Sequence, residues 1–142
     1  MIKDERSHTT LPASDLDRAR KFYKEKLGMS PATESPGALF YVTGGGTRFT
    51  LYPTPNQARG GHTQMGFSVK DIEKSVAELR AAGVVFEEYD FPGLKTDGSI
   101  AQTGDVRAAW FKDSEGNLIG LVQIPAGAEP AWRAVESTRA FA

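Results

Sequence analysis

The sequence predicts an α+β fold built from two halves of the same plan, and two observations lead to that prediction. Each half begins with a short run in which apolar residues alternate, at 8–13 and 64–69, followed by an aspartate and a charged amphipathic stretch. Each of these stretches ends at a glycine, Gly28 or Gly83. A repeated order of this kind indicates a duplicated supersecondary unit. Because strand-forming runs outnumber helices in both halves, we expect mostly antiparallel sheets.

The first half is expected to start with an edge strand and a capped helix. Pro12 has no N–H to donate to a sheet ladder, so the strand at 8–13 is expected at a sheet edge or a bulge. Ser14 or Asp15 is a suitable N-cap for the helix that follows. Apolar residues then recur at helical spacing until Gly28, which is expected to end the helix in a left-handed conformation.

The second half is expected to repeat this order and then to depart from it. Asp71 is expected to cap its helix and Gly83 to end it, and 84–86 is expected to begin the next strand. Residues 90–105 show no periodicity and contain proline and several glycines. A long loop is predicted there, and long loops in compact domains often serve as lids or binding loops.

Each half is expected to close with a hairpin. Apolar runs flank a glycine-containing turn in both, which is the sequence signal for paired strands. The runs are 39–42 and 48–52 around Gly44–Gly46, and 108–111 and 118–122 around Asp113–Asn117.

The length of 142 residues suits one domain, with module one at about 7–55, module two at about 63–124 and a tail at 125–142. A short helix is expected in the tail around Trp132 and Val135.

The composition excludes several classes of partner and site. Hydrophobic residues make up 39% of the chain, and the net charge is -1, so we expect no nucleic-acid partner. No cysteine is present, which excludes disulfides and thiolate metal ligands. The polar start is not typical of a signal peptide, and no apolar run is long enough to span a membrane. We therefore expect a cytoplasmic protein without a membrane partner.

The motifs at 14–23, 27–28, 69–72 and 110–119 occur in an order that resembles the vicinal oxygen chelate superfamily. That superfamily includes glyoxalase I, bleomycin resistance proteins and extradiol dioxygenases, and the resemblance extends over residues 7–124. It implies two βαβββ modules in tandem that form a cupped sheet around one cavity. It also implies a homodimer, because modules of this family pair within a chain or across subunits.

The resemblance further implies four inward-facing positions that hold a metal ion in the family's metalloenzymes. Here these positions carry His8, Thr50, Gln64 and Gly120. Divalent cations of this kind prefer imidazole and carboxylate donors, whereas a threonine is a poor neutral donor and a glycine has no side chain. We therefore expect no metal and no other cofactor. A remodelled site that uses His8 and Gln64 is the alternative.

The same positions and their neighbours are candidates for binding a ligand. His8 and Gln64 offer polar groups, and strand alternation places Arg48 and Tyr52 on the face that carries Thr50. Amphipathic aromatic rings provide contact area with a polar tip. The candidate residues are His8, Arg48, Thr50, Tyr52, Gln64, Trp110 and Gly120, and no catalytic residue is assigned.

These features predict a metal-independent small-molecule-binding protein of the glyoxalase/bleomycin-resistance type. The first alternative is a glyoxalase-like lyase or isomerase, or a dioxygenase, with a carboxylate recruited from a partner subunit or from the 87–105 segment. Glu87, Glu88, Asp97 and Asp105 lie on or near that segment, and any of them could supply the carboxylate. The second alternative is an interaction protein in which Trp110, Leu118 and Val122 fill the cleft themselves.

Overall fold

The computed structural model describes residues 2–55, 60–123 and 125, so the helix predicted around Trp132 and Val135 lies outside the described residues. Module one contains β1 (Thr9–Ala13), α1 (Leu16–Leu27), β2 (Thr33–Ser35), β3 (Ala38–Val42) and β4 (Arg48–Pro53). Module two contains β5 (Met65–Ser68), α2 (Ile72–Ala81), β6 (Asp90–Phe91), β7 (Leu94–Asp97), β8 (Ile100–Thr103), β9 (Val106–Lys112) and β10 (Leu118–Gln123). Short 3-10 turns cover Ile2–Asp4 and Gly44–Gly46.

The two sheets confirm the predicted α+β class and the duplication. Module one forms a sheet in the order β1-β4-β3-β2, and module two forms one in the order β5-β10-β9-β8-β7-β6. In each sheet the first strand runs parallel to the last strand of its module, and the other pairs are antiparallel. The β6–β7 hairpin extends the second sheet beyond the repeated unit. Pro12 lies on edge strand β1, as predicted, where its missing N–H leaves no ladder bond unmade.

Both helices begin at the predicted aspartates. The Asp15 carboxylate accepts a hydrogen bond from the Arg18 N–H at 3.0 Å, and the Asp71 carboxylate accepts one from the Lys74 N–H at 3.2 Å. These bonds pair backbone donors that the first helical turn leaves free. Gly28 ends α1 with a φ of 69°, a conformation that suits glycine.

The long loop predicted over 90–105 is wrong, because this segment folds into β6, β7 and β8. These strands are only two to four residues long, too short to show periodicity in the sequence. The strand predicted to begin at 84–86 is also wrong. Phe86 forms a single bridge to Phe111, and β8 occupies the neighbouring part of the β9 edge.

One hydrophobic core joins the two modules. Side chains from α1 and α2 pack with one face of each sheet in a continuous buried cluster. Across the junction, the rings of Phe49 and Phe67 meet edge to face with centroids 6.5 Å apart. The opposite face of both sheets, here called the site face, carries Thr50 in module one and Gly120 in module two. Four of the large exposed hydrophobic side chains lie on this face: Phe40, Val42, Tyr52 and Val106.

The turn between β9 and β10 attaches module two to module one. Asn117 donates its side-chain amide to the Pro12 carbonyl at 3.0 Å, and the Tyr23 hydroxyl donates to the Asp113 carboxylate at 2.7 Å. Glu115 is 2% exposed, and its carboxylate accepts the Asp15 N–H at 2.9 Å. A run of buried polar residues in this turn therefore fixes the two modules to each other.

Candidate functional site

The predicted site residues of module one lie on β4 and just before β1. The strand register places Arg48, Thr50 and Tyr52 on one face, as the alternation predicted. Thr50 lies opposite Phe40 and is buried, whereas Arg48 and Tyr52 are exposed. His8 immediately precedes β1 and is also exposed. Module one thus presents an imidazole and a guanidinium to solvent, with a buried neutral hydroxyl further along the strand.

Gln64 has a backbone-pairing role in the structure. Its N–H donates to the Leu118 carbonyl at 2.9 Å, and its side-chain oxygen accepts the Leu118 N–H at 3.2 Å. This pair of bonds starts the parallel ladder between β5 and β10. The amide oxygen, which the metal alternative would use as a donor, is already engaged.

Gly120 lies beneath a lid formed by Trp110 and Thr63. The indole N–H of Trp110 donates to the Thr63 hydroxyl at 3.0 Å, and Tyr89 meets the Trp110 ring edge to face with centroids 5.6 Å apart. A Cβ at position 120 would lie 3.2 Å from the Thr63 methyl and 3.5 Å from the indole nitrogen. Because Gly120 has no side chain, Thr63 and the Trp110 ring occupy the space that a side chain would take.

An open cleft of about 1420 Å³ lies between the β3–β4 turn and β5. It is lined by 6–9, 43–49, 65–68 and Lys70. Of the seven predicted residues, only His8 and Arg48 line this cleft. The described residues that line it include Arg6, Arg48 and Lys70 but no aspartate or glutamate, so we call it the basic cleft.

The sequence analysis did not identify Arg6, Lys70 or the β3–β4 turn as part of a site. Arg6 and Lys70 are basic residues far apart in the chain, and only the tertiary fold brings them to the same cleft as the turn. Spacing in the sequence could not have revealed it.

The carboxylates considered for a remodelled site have local partners or stand apart. Glu88 accepts hydrogen bonds from Ser99 and from the Thr96 hydroxyl, the latter at 2.6 Å. These bonds, that of Ser99 first, lower the pKa of Glu88 below its ordinary value. Glu88 therefore ties the β7–β8 hairpin to the chain before it. Within the described residues, no three histidine, aspartate or glutamate side chains group closely enough to hold a metal ion.

Comparison with known proteins identifies the family. The family model described as Glyoxalase/Bleomycin resistance protein/Dioxygenase superfamily matches residues 6–121. The chain belongs to this superfamily. One relative is the uncharacterized protein YurT of Bacillus subtilis (strain 168). It is 30% identical to this chain over 131 residues, which cover 81% of this chain and 95% of YurT. The resemblance inferred from the motifs is thereby confirmed.

Solved structures of the superfamily share the fold. The lactoylglutathione lyase of Agrobacterium tumefaciens superposes with a TM-score of 0.61 at 18% identity, covering 84% of this chain and 93% of that one. A mutant of the fosfomycin resistance protein FosX of Listeria monocytogenes, complexed with Mn(II) and 1S,2S-dihydroxypropylphosphonic acid, gives a TM-score of 0.63 at 16% identity. That match covers 87% of this chain and 92% of the FosX chain.

The residues at the four metal positions of the superfamily do not fit a divalent cation here. Gly120 supplies no donor and is covered by the Trp110 ring. Thr50 is neutral, and the Gln64 oxygen already accepts the Leu118 N–H. His8 alone keeps a typical ligand chemistry, and no carboxylate stands at these positions to offset the charge of a dication.

None of the helices formed by the described residues is both long and apolar enough to cross a bilayer.

Proposed function

We propose that this superfamily member binds a small organic molecule without a metal ion. The observation that carries the proposal is the replacement of the fourth metal position by Gly120, with Trp110 and Thr63 packed into the space. A metal ion bound there would need both a carboxylate and an open coordination position. This chain offers neither at that point.

The basic cleft supports ligand binding in place of metal chemistry. Small-molecule sites combine apolar walls with a few directing polar groups. The half-buried Met65 and Phe67 supply apolar surface in the cleft, and His8 and Arg48 supply polar groups at its edge. The interaction protein considered from the sequence remains an alternative, because Trp110 does cover Gly120, whereas the basic cleft lies elsewhere and is open.

Metal analysis tests the proposal directly. We expect inductively coupled plasma mass spectrometry to find far less than one divalent metal ion per chain in protein purified without chelator. Addition of Ni²⁺, Zn²⁺, Fe²⁺ or Mn²⁺ is expected to leave the unfolding midpoint unchanged, because a ligand stabilises only the state that binds it. Near-stoichiometric metal that disappears in His8→Ala would overturn the proposal. Lys24→Ala, an exposed substitution in α1, is the matched control.

A lyase, isomerase or dioxygenase with a remodelled metal site is the second candidate, favoured by the lactoylglutathione lyase and the Mn(II)-bound FosX among the structural neighbours. It needs a carboxylate from a partner subunit or from outside the four positions. Turnover of methylglyoxal with glutathione, or of catechol, in the presence of added metal would support it. Such turnover should vanish in His8→Ala if His8 is the remaining ligand.

A homodimer is also part of the proposal. Exposed apolar side chains grouped on one surface are typical of association sites. Phe40, Val42 and Tyr52 are exposed together on the site face of module one, Val42 to 54%. We expect light scattering coupled to size exclusion to give twice the chain mass, and a single-chain mass would contradict the dimer.

A further inference from the structure

The two modules carry matching hairpin turns, 43–47 and 113–117. In both, the N–H of the first residue donates to the carbonyl of the last, at 2.8 Å in the first turn and 3.0 Å in the second. The fourth residue of each turn is a glycine with positive φ, 77° and 85° respectively, whose N–H donates to the first carbonyl. The turns match in these hydrogen bonds, and in sequence order Gly45 takes the place that Glu115 holds in the second turn. Their backbones differ at this position, because Gly45 has a φ of 70° and Glu115 a negative φ.

Glu115 places a carboxylate from the second turn against module one. Its carboxylate is held by the Asp15 N–H at 2.9 Å and by the Arg18 guanidinium at 2.7 Å. The Ser14 hydroxyl donates a longer bond of 3.4 Å. An internal carboxylate is therefore bound where this turn meets the β1–α1 junction.

The reciprocal contact has no internal carboxylate, because Gly45 has no side chain. The first turn faces the end of β5 and the residues before α2, and the basic cleft is the space between them. Alignment of Asp71 with Asp15 puts Lys70 in the place of Ser14. Lys70 and Arg48 both line the cleft, and neither forms an ion pair within the part of the chain that the structure describes.

We propose that the basic cleft binds the carboxylate of a small organic anion with an apolar body. This inference rests on the proposed function and names its ligand class. The carboxylate takes the role that Glu115 plays in the other half, with Arg48 and Lys70 as its charged partners. Charge-assisted bonds of this kind are stronger than neutral ones, and the two cations Arg48 and Lys70, in a lining without an acidic side chain, favour an anion.

The apolar body of the ligand contacts the floor of the cleft. Phe49 is almost fully buried, and the half-buried Met65 and Phe67 lie beside it. Met65 and Phe67 offer an apolar surface but no charged partner, and Phe49 packs against Phe67 from the core. A ligand that combines a carboxylate with a ring or a short alkyl chain therefore matches both parts of the lining.

Matched acid and amide probes test the inference on the full chain. Benzoate and hexanoate would be titrated against benzamide and hexanamide, with backbone amide shifts followed by NMR. We expect the acids to shift residues of the 43–47 turn and Lys70, and to bind at least about tenfold more tightly than their amides, as a charge-assisted bond of about 1.4 kcal/mol would give. Arg48→Gln and Lys70→Gln should each weaken acid binding about tenfold. Lys95→Gln on β7 removes the same charge outside the cleft lining and should leave it unchanged.

The outcomes separate this inference from the proposed function. Equal binding of acid and amide in the cleft would overturn the anionic ligand and leave metal-free binding standing. Shifts confined to other parts of the chain, or no shift with any probe at millimolar concentration, would also overturn it. The proposed function itself is overturned by bound metal, or by metal-dependent turnover, that disappears in His8→Ala, and neither result depends on these probes.

Discussion

Two adjacent buried tyrosines show how one hydroxyl can have opposite effects on stability. Tyr23 and Tyr41 are each at most 1% exposed, and their ring centroids lie 5.4 Å apart. Burial raises the pKa of both, that of Tyr41 to about 12, so both stay neutral hydroxyls. The Tyr23 hydroxyl donates to Asp113, whereas that of Tyr41 has no partner among the described residues.

Substitution by phenylalanine is therefore expected to separate them. Tyr23→Phe removes one hydrogen bond to the buried Asp113 carboxylate, which keeps the Asn117 amide at 2.8 Å, and should lower the free energy of unfolding by about 2 kcal/mol. Tyr41→Phe removes an unpaired polar atom from the core and should be neutral or raise it by up to about 1 kcal/mol. Urea unfolding followed by circular dichroism measures both, each variant serving as the control for the other. Similar losses in the two variants would contradict this account.

At the scale of elements, the sequence predicted those parts whose signals are local. The helices begin at Asp15 and Asp71 because a capping carboxylate pairs backbone donors a few residues away. The strands at 90–103 pair with near neighbours in the sequence but escaped prediction because they are only two to four residues long, too short for an alternating pattern to show. Here Gly93 and Gly98 mark tight turns between short strands, and the same glycines in the sequence indicated a loop.

The site follows the same division between local and tertiary information. The lack of a carboxylate at positions 50 and 120 could be predicted from the sequence. The engagement of Gln64 with Leu118 and the cover of Trp110 over Gly120 depend on the pairing of β5, β9 and β10. Contacts between strands follow no regular spacing in the sequence, so the sequence alone could not predict these two.

Two paired glycines on neighbouring strands give a matched test of that cover. Gly120 and Gly66 lie opposite each other in the β10–β5 ladder. An added Cβ would lie 3.2 Å from the Thr63 methyl at position 120, but 3.8 Å from the nearest atom at position 66. We expect Gly120→Ala to destabilise the protein by about 1 kcal/mol through overpacking, and Gly66→Ala to be neutral or stabilising. Chemical denaturation measures both, and a harmless Gly120→Ala would show that Thr63 and Trp110 do not fill the space.

At the scale of the whole molecule, Glu115 couples the two modules and makes that coupling depend on pH. Burial alone would raise its pKa, but the bonds from Arg18, the Asp15 N–H and Ser114 outweigh burial and hold the pKa below its ordinary value. A carboxyl with a lowered pKa in the folded state binds fewer protons there than in the unfolded chain. Its contribution to stability is therefore complete above the ordinary glutamate pKa of about 4.3, and it is lost as the pH falls through the folded-state value.

Glu115→Gln should remove this contribution while keeping the shape of the side chain. At pH 7 we expect the free energy of unfolding to fall by about 2 kcal/mol, since bonds to a charged acceptor are lost. Below about pH 4 the difference from the wild-type protein should shrink, because the wild-type carboxyl is then increasingly protonated. Glu25→Gln, at an exposed position of α1, controls for the loss of one negative charge and should leave the pH profile unchanged. A constant difference between wild type and Glu115→Gln from pH 3 to 7 would mean that the turn is held by packing and by Asn117, and that the Glu115 charge adds nothing to the contact between the modules.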